Sequence, residues 1–273
     1  MLQLVEVRNT AGTLLTLTLD DVSDGLIIED IEGLDPVPAT LVSSDYAQQD
    51  GGLFQSARRE KRNIIIKLGL EPDYISTSVR DLRASLYQWF MPKAEVDLRF
   101  FTEEGLTVKA VGRVESFEAP FFTKEPRVDI SILCFDPDFV ELTEETVTGD
   151  TVDDTDEVTV AYEGTVETGI EFTLFVDRTL SEFTIYHRGP DGIQKSMDVT
   201  VELEADDILV INTVTGTKGA TLTRASVSSS VLYGIAPQAT WHELQPGDND
   251  IRIYAVGDPI PWEITYMNRH GGL

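Results

Sequence analysis

A single cysteine, Cys134, stands in 273 residues. No intrachain disulfide can form, so the fold does not depend on an oxidising compartment. Its flanks, Leu133 and Phe135, mark it as a buried core thiol rather than a nucleophile. No stretch approaches the ~18 apolar residues of a membrane span. The opening MLQLVEVRN lacks the basic-then-apolar pattern of a signal segment. A product made in a cytoplasm, without membrane insertion, is expected.

Enzyme signatures are also missing. There is no phosphate loop, no dinucleotide fingerprint and no GxSxG elbow. The three histidines, His187, His242 and His270, are far apart and none has HExxH-like spacing, which gives little support to a zinc site. His187, beside Arg188, reads as a surface or turn histidine. Carboxylates abound, but neighbours such as Glu103-Glu104 and Asp206-Asp207 would point to opposite faces of a strand and cannot flank one glycosidic bond. Asp150 to Asp156 lacks the glycine and terminal glutamate of an EF-hand loop. The expectation is a non-enzyme with no catalytic, cofactor or metal residues.

Basic residues are scarce: 21 against 48 acidic ones, a net charge of −27. The imbalance is −10 over residues 1–140 and −17 over 141–273. Such a chain repels phosphate backbones, so sequence-specific nucleic-acid binding is not expected. The acidity suits solubility, or a lumen through which DNA slides without sticking, and composition does not separate the two. The one local reversal is Arg58, Arg59, Lys61 and Arg62. It reads either as a solvated start of an edge strand or as a docking site for an acidic partner, for which another copy of the chain is the nearest candidate.

What is present is mostly β pattern. Leu15, Leu17 and Leu19 alternate with Thr16 and Thr18 behind the turn Asn9 to Gly12, predicting a hairpin. Ile27 to Ile31, Ile64 to Leu68, Val96 to Phe100, Val108 to Phe117 and Val128 to Cys134 predict further strands. Residues 33–52, with Pro36, Pro38 and Asp50-Gly51-Gly52, read as an irregular connection. One helix is expected from about Ser76 to Met91: Ser76, Thr77 or Ser78 caps it, Val79, Leu82, Leu86 and Phe90 form its apolar stripe, and Pro92 stops it. At roughly 150 residues per domain the chain holds one or two. The Thr-, Asp- and Glu-rich segment 141–157 reads as a linker between domains 1–140 and 158–273. The second domain shows strands at Ile170 to Val176, Phe183 to His187, Met197 to Leu203, Ile208 to Asn212, Thr221 to Thr223 and Ile251 to Val256, separated by turns such as Gly189 to Gly192. That spacing predicts a β-sandwich or jelly roll.

In their order, several pieces resemble one family. Ile31-Glu32-Gly33-Leu34 with Pro36, then Asp50-Gly51-Gly52, Ser56, Arg58 and Arg62 to Ile66, resemble the N-terminal domain of siphophage distal tail proteins, often called Dit. So do the single helix and the close on Phe135-Asp136-Pro137. Gly164 to Gly169 with its following strand, Asp206 to Asn212, and Trp241 to Asn249 are similar to the family's C-terminal domain. The resemblance implies a mainly β protein: a tail-tube-like domain with one helix, then a galectin-like β-sandwich. It also implies a hexameric ring at the tail tip of a long-tailed bacteriophage, joining tail tube to hub or baseplate and letting DNA pass. Its partners would be copies of itself, the tube protein, the tail-associated hub protein, and also the tape measure and receptor-binding proteins. The location would be the virion. Arg58, Arg59, Lys61 and Arg62 are then candidates for the inter-subunit contact.

Read from the residues alone, Pro246 to Asn249 supplies a turn, and Trp241 and Leu244 anchor a core rather than bind sugar. The competing reading is a carbohydrate-binding module for host cell-wall sugars, although the galectin grouping of His, Asn and Arg with a nearby Trp and Glu is not reproduced around His187 or Trp241. A tail glycoside hydrolase would need two carboxylates facing each other roughly 5–10 Å apart in a cleft.

Overall fold

A computed structural model describes residues 1–19, 24–45, 50–73, 75, 77–120 and 124–273. The chain forms two compact units, Met1–Leu142 with His270–Leu273, and Thr143–Arg269. The second unit is thus inserted near the end of the first.

In the first unit the strands are β1 (Leu2–Asn9), β2 (Leu14–Thr18), β3 (Leu26–Glu32), β4 (Ala39–Asp45), β5 (Gly52–Arg59) and β6 (Arg62–Leu70). After helix α1 (Val79–Phe90) come β7 (Glu95–Thr102), β8 (Thr107–Glu118), β9 (Arg127–Cys134) and the start of β10 (Phe139–Asp150). They pair antiparallel in the order β2-β1-β7-β8-β9-β6-β3. The period-two pattern sends Val5 and Val7, Ile64, Ile66 and Leu68, Leu98 and Phe100, and Val128, Ile130 and Ile132 to one buried face. Leu82, Leu86 and Phe90 of α1 complete that core, and Phe139 meets Phe100 edge to face at 5.5 Å.

Ser78 is the helix cap. Asp81 N donates to its Oγ at 3.3 Å, and Ser78 N donates back to the Asp81 carboxylate at 3.1 Å. The Ser78 hydroxyl, which donates to the same carboxylate at 2.7 Å, and then this backbone N–H hold the Asp81 carboxyl below its ordinary pKa. Thr77 instead donates its N–H to Asp73, and Ser76 lies outside the described residues. The chain leaves the helix at Met91 in an extended conformation, as a residue before proline must.

The second unit continues β10 and adds β11 (Val158–Tyr162), β12 (Thr168–Gly169), β13 (Glu171–Phe175), β14 (Leu180–Arg188), β15 (Gln194–Leu203), β16 (Ile208–Asn212), β17 (Gly219–Arg224), β18 (Val227–Ser230), β19 (Glu243–Leu244), β20 (Gly247–Tyr254) and β21 (Pro261–His270). One sheet runs β18-β17-β16-β13-β21-β10, the other β11-β20-β14-β15. Between them lies a core of Phe172, Leu174, Phe183, Ile185, Met197, Leu209, Ile211, Ile253 and Trp262. This is the expected sandwich. Leu244 is in the core and Trp241 packs against it half-buried, while Trp262 is the fully buried tryptophan.

Two segments differ from the sequence reading. Residues 33–52, expected to be irregular, contain β4 and open β5. Residues 141–157, expected as a solvated linker, are strand as far as Asp150. In both cases the strand is held by backbone pairing with little side-chain burial, so apolar alternation, the signal that marks a half-buried strand, is weak or masked by polar residues.

Candidate functional site

The basic cluster lies at the root of a hairpin. β4 and β5 pair with each other, Ala39 opposite Arg59 and Asp45 opposite Gly52, and form a separate two-stranded sheet. Every described side chain of β5 is exposed. Among them are large apolar groups: Leu53 is 53% and Phe54 62% exposed, joined by Leu41 at 67% and Val42 on β4. An isolated two-stranded hairpin is marginal in water, and exposed apolar side chains beside open strand edges mark a surface that meets another chain.

The four basic residues do not form one surface. Arg58 points outward and makes a 3.7 Å ion pair with the partly exposed Glu60. Arg59 grips the buried carboxylate of Asp138 in a two-pronged pair, Nη2 to Oδ2 being 3.0 Å. The Lys61 ammonium sits 4.9 Å over the ring of Phe135. Arg62, expected at a contact surface, is fully buried. Its Nε donates to Pro137 O at 2.8 Å, Nη1 to Asp35 O at 2.9 Å and Nη2 to Gly271 O at 2.6 Å, and its guanidinium stacks on Phe139 at 4.1 Å. Burial lowers its pKa from the ordinary arginine value. The reason is register: Arg62 stands opposite Cys134 on the inward side of β6, in line with Ile64 and Ile66. Arg59, Lys61 and Arg62 therefore each contact a residue at the root of the hairpin, Arg62 alone being buried, and Arg58 is more exposed than Arg59. The exposed apolar residues of the hairpin are a feature that sequence reasoning did not anticipate. Their signal was the Leu41-Val42 and Leu53-Phe54 pairs flanking Asp50-Gly51.

Near Arg62 the thiol of Cys134 is buried and its pKa pushed up to about 11 by desolvation, as a core cysteine should be.

In the second unit His187 is not a surface histidine. It is 1% exposed, because it continues the inward row of Phe183 and Ile185 on β14. Its Nε2 lies 3.0 Å from Asn249 Oδ1. That oxygen also accepts from Gln245 N, while Asn249 Nδ2 donates to two carbonyls, so Nε2 of His187 carries the proton. His242, 5.5 Å away ring to ring, likewise donates Nε2–H to Ile185 O. Each Nδ1 is buried with no hydrogen-bond partner among the described residues. Desolvation lowers both pKa values, that of His242 to about 4. Both rings are neutral structural groups. Among the described residues no group of three or more His, Cys, Asp or Glu side chains is arranged to hold a metal ion.

Comparison with known proteins agrees with this architecture. Residues 163–270 match the family model of the siphovirus-type tail component, C-terminal domain. No curated protein is significantly similar in sequence. Among solved structures, the Dit protein of phage SPP1, described as a paradigm of the hub adsorption apparatus in phages infecting Gram-positive bacteria, shares the fold with a TM-score of 0.69 at 14% identity. The match covers 97% of this chain and 98% of that one. The phage P2 baseplate in its activated conformation with Ca gives a TM-score of 0.46 at 10% identity over the full length of both chains, too distant to bear on function. The resemblance to siphophage distal tail proteins is borne out, over the C-terminal unit by the family model and over the whole chain by the fold.

Proposed function

We propose that this chain, whose residues 163–270 match the siphovirus-type tail component model, is a structural protein of a phage tail tip that closes into a hexameric ring through its β4–β5 hairpin. The observation that carries the reading is the hairpin itself: Leu41, Leu53 and Phe54 stand in solvent on strands with open edges, on a root fixed by Arg59, Lys61 and Arg62. A rigid root with an apolar tip is suited to reach onto a neighbouring copy. Repeating one such heterologous contact around an axis gives a closed ring. Arg58 would meet acidic surface on the neighbour, and acidic surface is abundant on a chain of net charge −27.

In this reading the ring joins tail tube to hub, its centre passes DNA, and acidic walls keep the DNA from adhering. The protein works by fit rather than catalysis. Its neighbours are the tube protein and the hub protein, with the tape measure and receptor-binding proteins as further contacts. It is made in the host cytoplasm and resides in the virion.

Native mass measurement and electron microscopy of the purified chain and of particles test this. Six-fold rings with an open centre of duplex width support the reading. A closed centre, or a single copy per particle, overturns it.

A further inference from the structure

The second unit carries a cleft outside the hairpin and its root. Its floor is the solvent face of β14, β15 and β20. Register places Thr184 between Asp198 on one neighbour and Tyr254 on the other, with Glu182 opposite Thr200 one step along. These side chains face outward because Phe183, Ile185, Val199 and Ile253 face the core. A register shift between Leu180 and Glu182 leaves both Ser181 and Glu182 exposed.

A braced loop forms one wall. Arg178 donates Nε to Asp258 O and Nη2 to Val256 O, each at 2.9 Å. Its guanidinium lies against Gly257, at φ 108°, where a Cβ would come within 3.1 Å of it. Val256, 70% exposed, forms the apolar rim. The cleft encloses about 570 Å³, within the ~300–1,000 Å³ of small-ligand sites.

The chemistry of the lining selects a ligand. Asp198 and Glu182 offer carboxylate oxygens, which accept hydrogen bonds from hydroxyl groups. Thr184 donates to Asp198 Oδ1 at 2.8 Å and so fixes that carboxylate in place. Thr200 and Ser181 add hydroxyls that donate or accept. Tyr254 and Val256 offer apolar surface. Beyond the cleft the same face continues as Tyr186 with the Arg252 guanidinium 4.3 Å over its ring. Alternating carboxylates and hydroxyls around an aromatic side chain suit a molecule that has a polar edge of many hydroxyls and an apolar face of C–H groups. The carboxylates, on the half of the chain with net charge −17, disfavour an anion. The N–H donors of Arg178 are directed at backbone carbonyls of Asp258, Thr179 and Val256, so they are turned to bracing the loop.

We infer that this cleft binds a neutral saccharide, with Asp198 and Glu182 accepting from its hydroxyls and Tyr254 against its C–H face. The inference goes beyond the tail-tip role and stands or falls separately from ring formation.

The test titrates the full chain with maltotriose, lactose and chitotetraose, with pentalysine as a cationic probe, at low and high salt. The expected result is millimolar binding of at least one neutral saccharide, unchanged by salt because no ion pair is involved. Asp198→Ala and Tyr254→Ala should each weaken it at least about tenfold. Thr200→Arg, at an exposed position, should block the cleft while leaving the unfolding temperature unchanged. Lack of saccharide binding at about 100 mM, or binding that Thr200→Arg leaves intact, overturns the inference. So does binding of pentalysine alone, lost at high salt, which would assign the face to a basic protein partner.

Discussion

The Nη2 of Arg62 donates to the carbonyl oxygen of Gly271 at 2.6 Å, joining positions 209 residues apart. Around it Leu273 N donates to Leu34 O at 3.0 Å, and His270 Nε2 lies 2.7 Å from Glu141 Oε1. The last residues of the chain are therefore part of the first unit. Removing residues 270–273 should lower the stability of that unit, while the sandwich of the second retains its own core. Arg62→Leu should cost about 3–5 kcal/mol, since it leaves several buried carbonyls without a donor. Calorimetry resolves the two transitions. A single transition unmoved by either change would deny the link.

The hairpin and its root should separate cleanly on mutation. Phe54→Asp with Leu53→Asp, or Arg58→Glu, should reduce ring assembly with stability changed by no more than about 0.5 kcal/mol, because these side chains lie in solvent. Arg62→Glu should instead unfold the first unit, because it puts an unpaired carboxylate in place of a buried cation. Sedimentation together with thermal melts distinguishes the two classes.

The second unit should be acid-sensitive. The folded pKa of His242, about 4, lies below the ~6.5 of a free imidazole. The unfolded chain therefore takes up a proton first as pH falls. Stability is full above pH ~6.5 and declines toward pH 4, by about 3 kcal/mol from this group. His187 acts in the same direction. The cause is burial, which penalises the charged imidazolium; protonation would also place an N–H on an Nδ1 that has no hydrogen-bond partner among the described residues. His242→Gln should make unfolding of the second unit less dependent on pH between 7 and 4, a flattening visible in melts at stepped pH.

Cys134 should be silent toward maleimide at pH 8 in the folded protein, being 1% exposed with its pKa pushed up to about 11. It should label at once in denaturant, so mass spectrometry of labelled chains reports opening of the first unit. Labelling at the same rate in both conditions would contradict the packing around β9.

Much of this was legible in the sequence. Period-two runs such as Val128 to Cys134 and Met197 to Leu203 announce strands whose two faces see different solvents, and the stripe Leu82, Leu86, Phe90 announces a helix. The missed strands are those where that contrast fails. β5 exposes both faces, so Leu53 and Phe54 alternate with nothing. The polar residues of β10 gave the appearance of a linker. Single charges misled for a related reason. Residue type does not encode depth, so Arg62, adjacent to three more accessible basic residues, looked like surface, and His187 beside Arg188 looked like a turn. Register, not composition, decides which of two neighbouring side chains is buried. The cleft on β14, β15 and β20 draws Tyr254 from a strand about 70 residues away from Thr184, and only pairing brings them together.

Because the chain leaves the first unit at Leu142 and re-enters it at His270, two covalent threads run between the units. A cut after Leu142 leaves the second unit tied to the first only through residues 270–273 and their hydrogen bonds to Arg62, Leu34 and Glu141, whereas a cut before His270 leaves the other thread intact. The two threads are unequal: one is continuous peptide, the other is only as durable as the bonds that dock four residues.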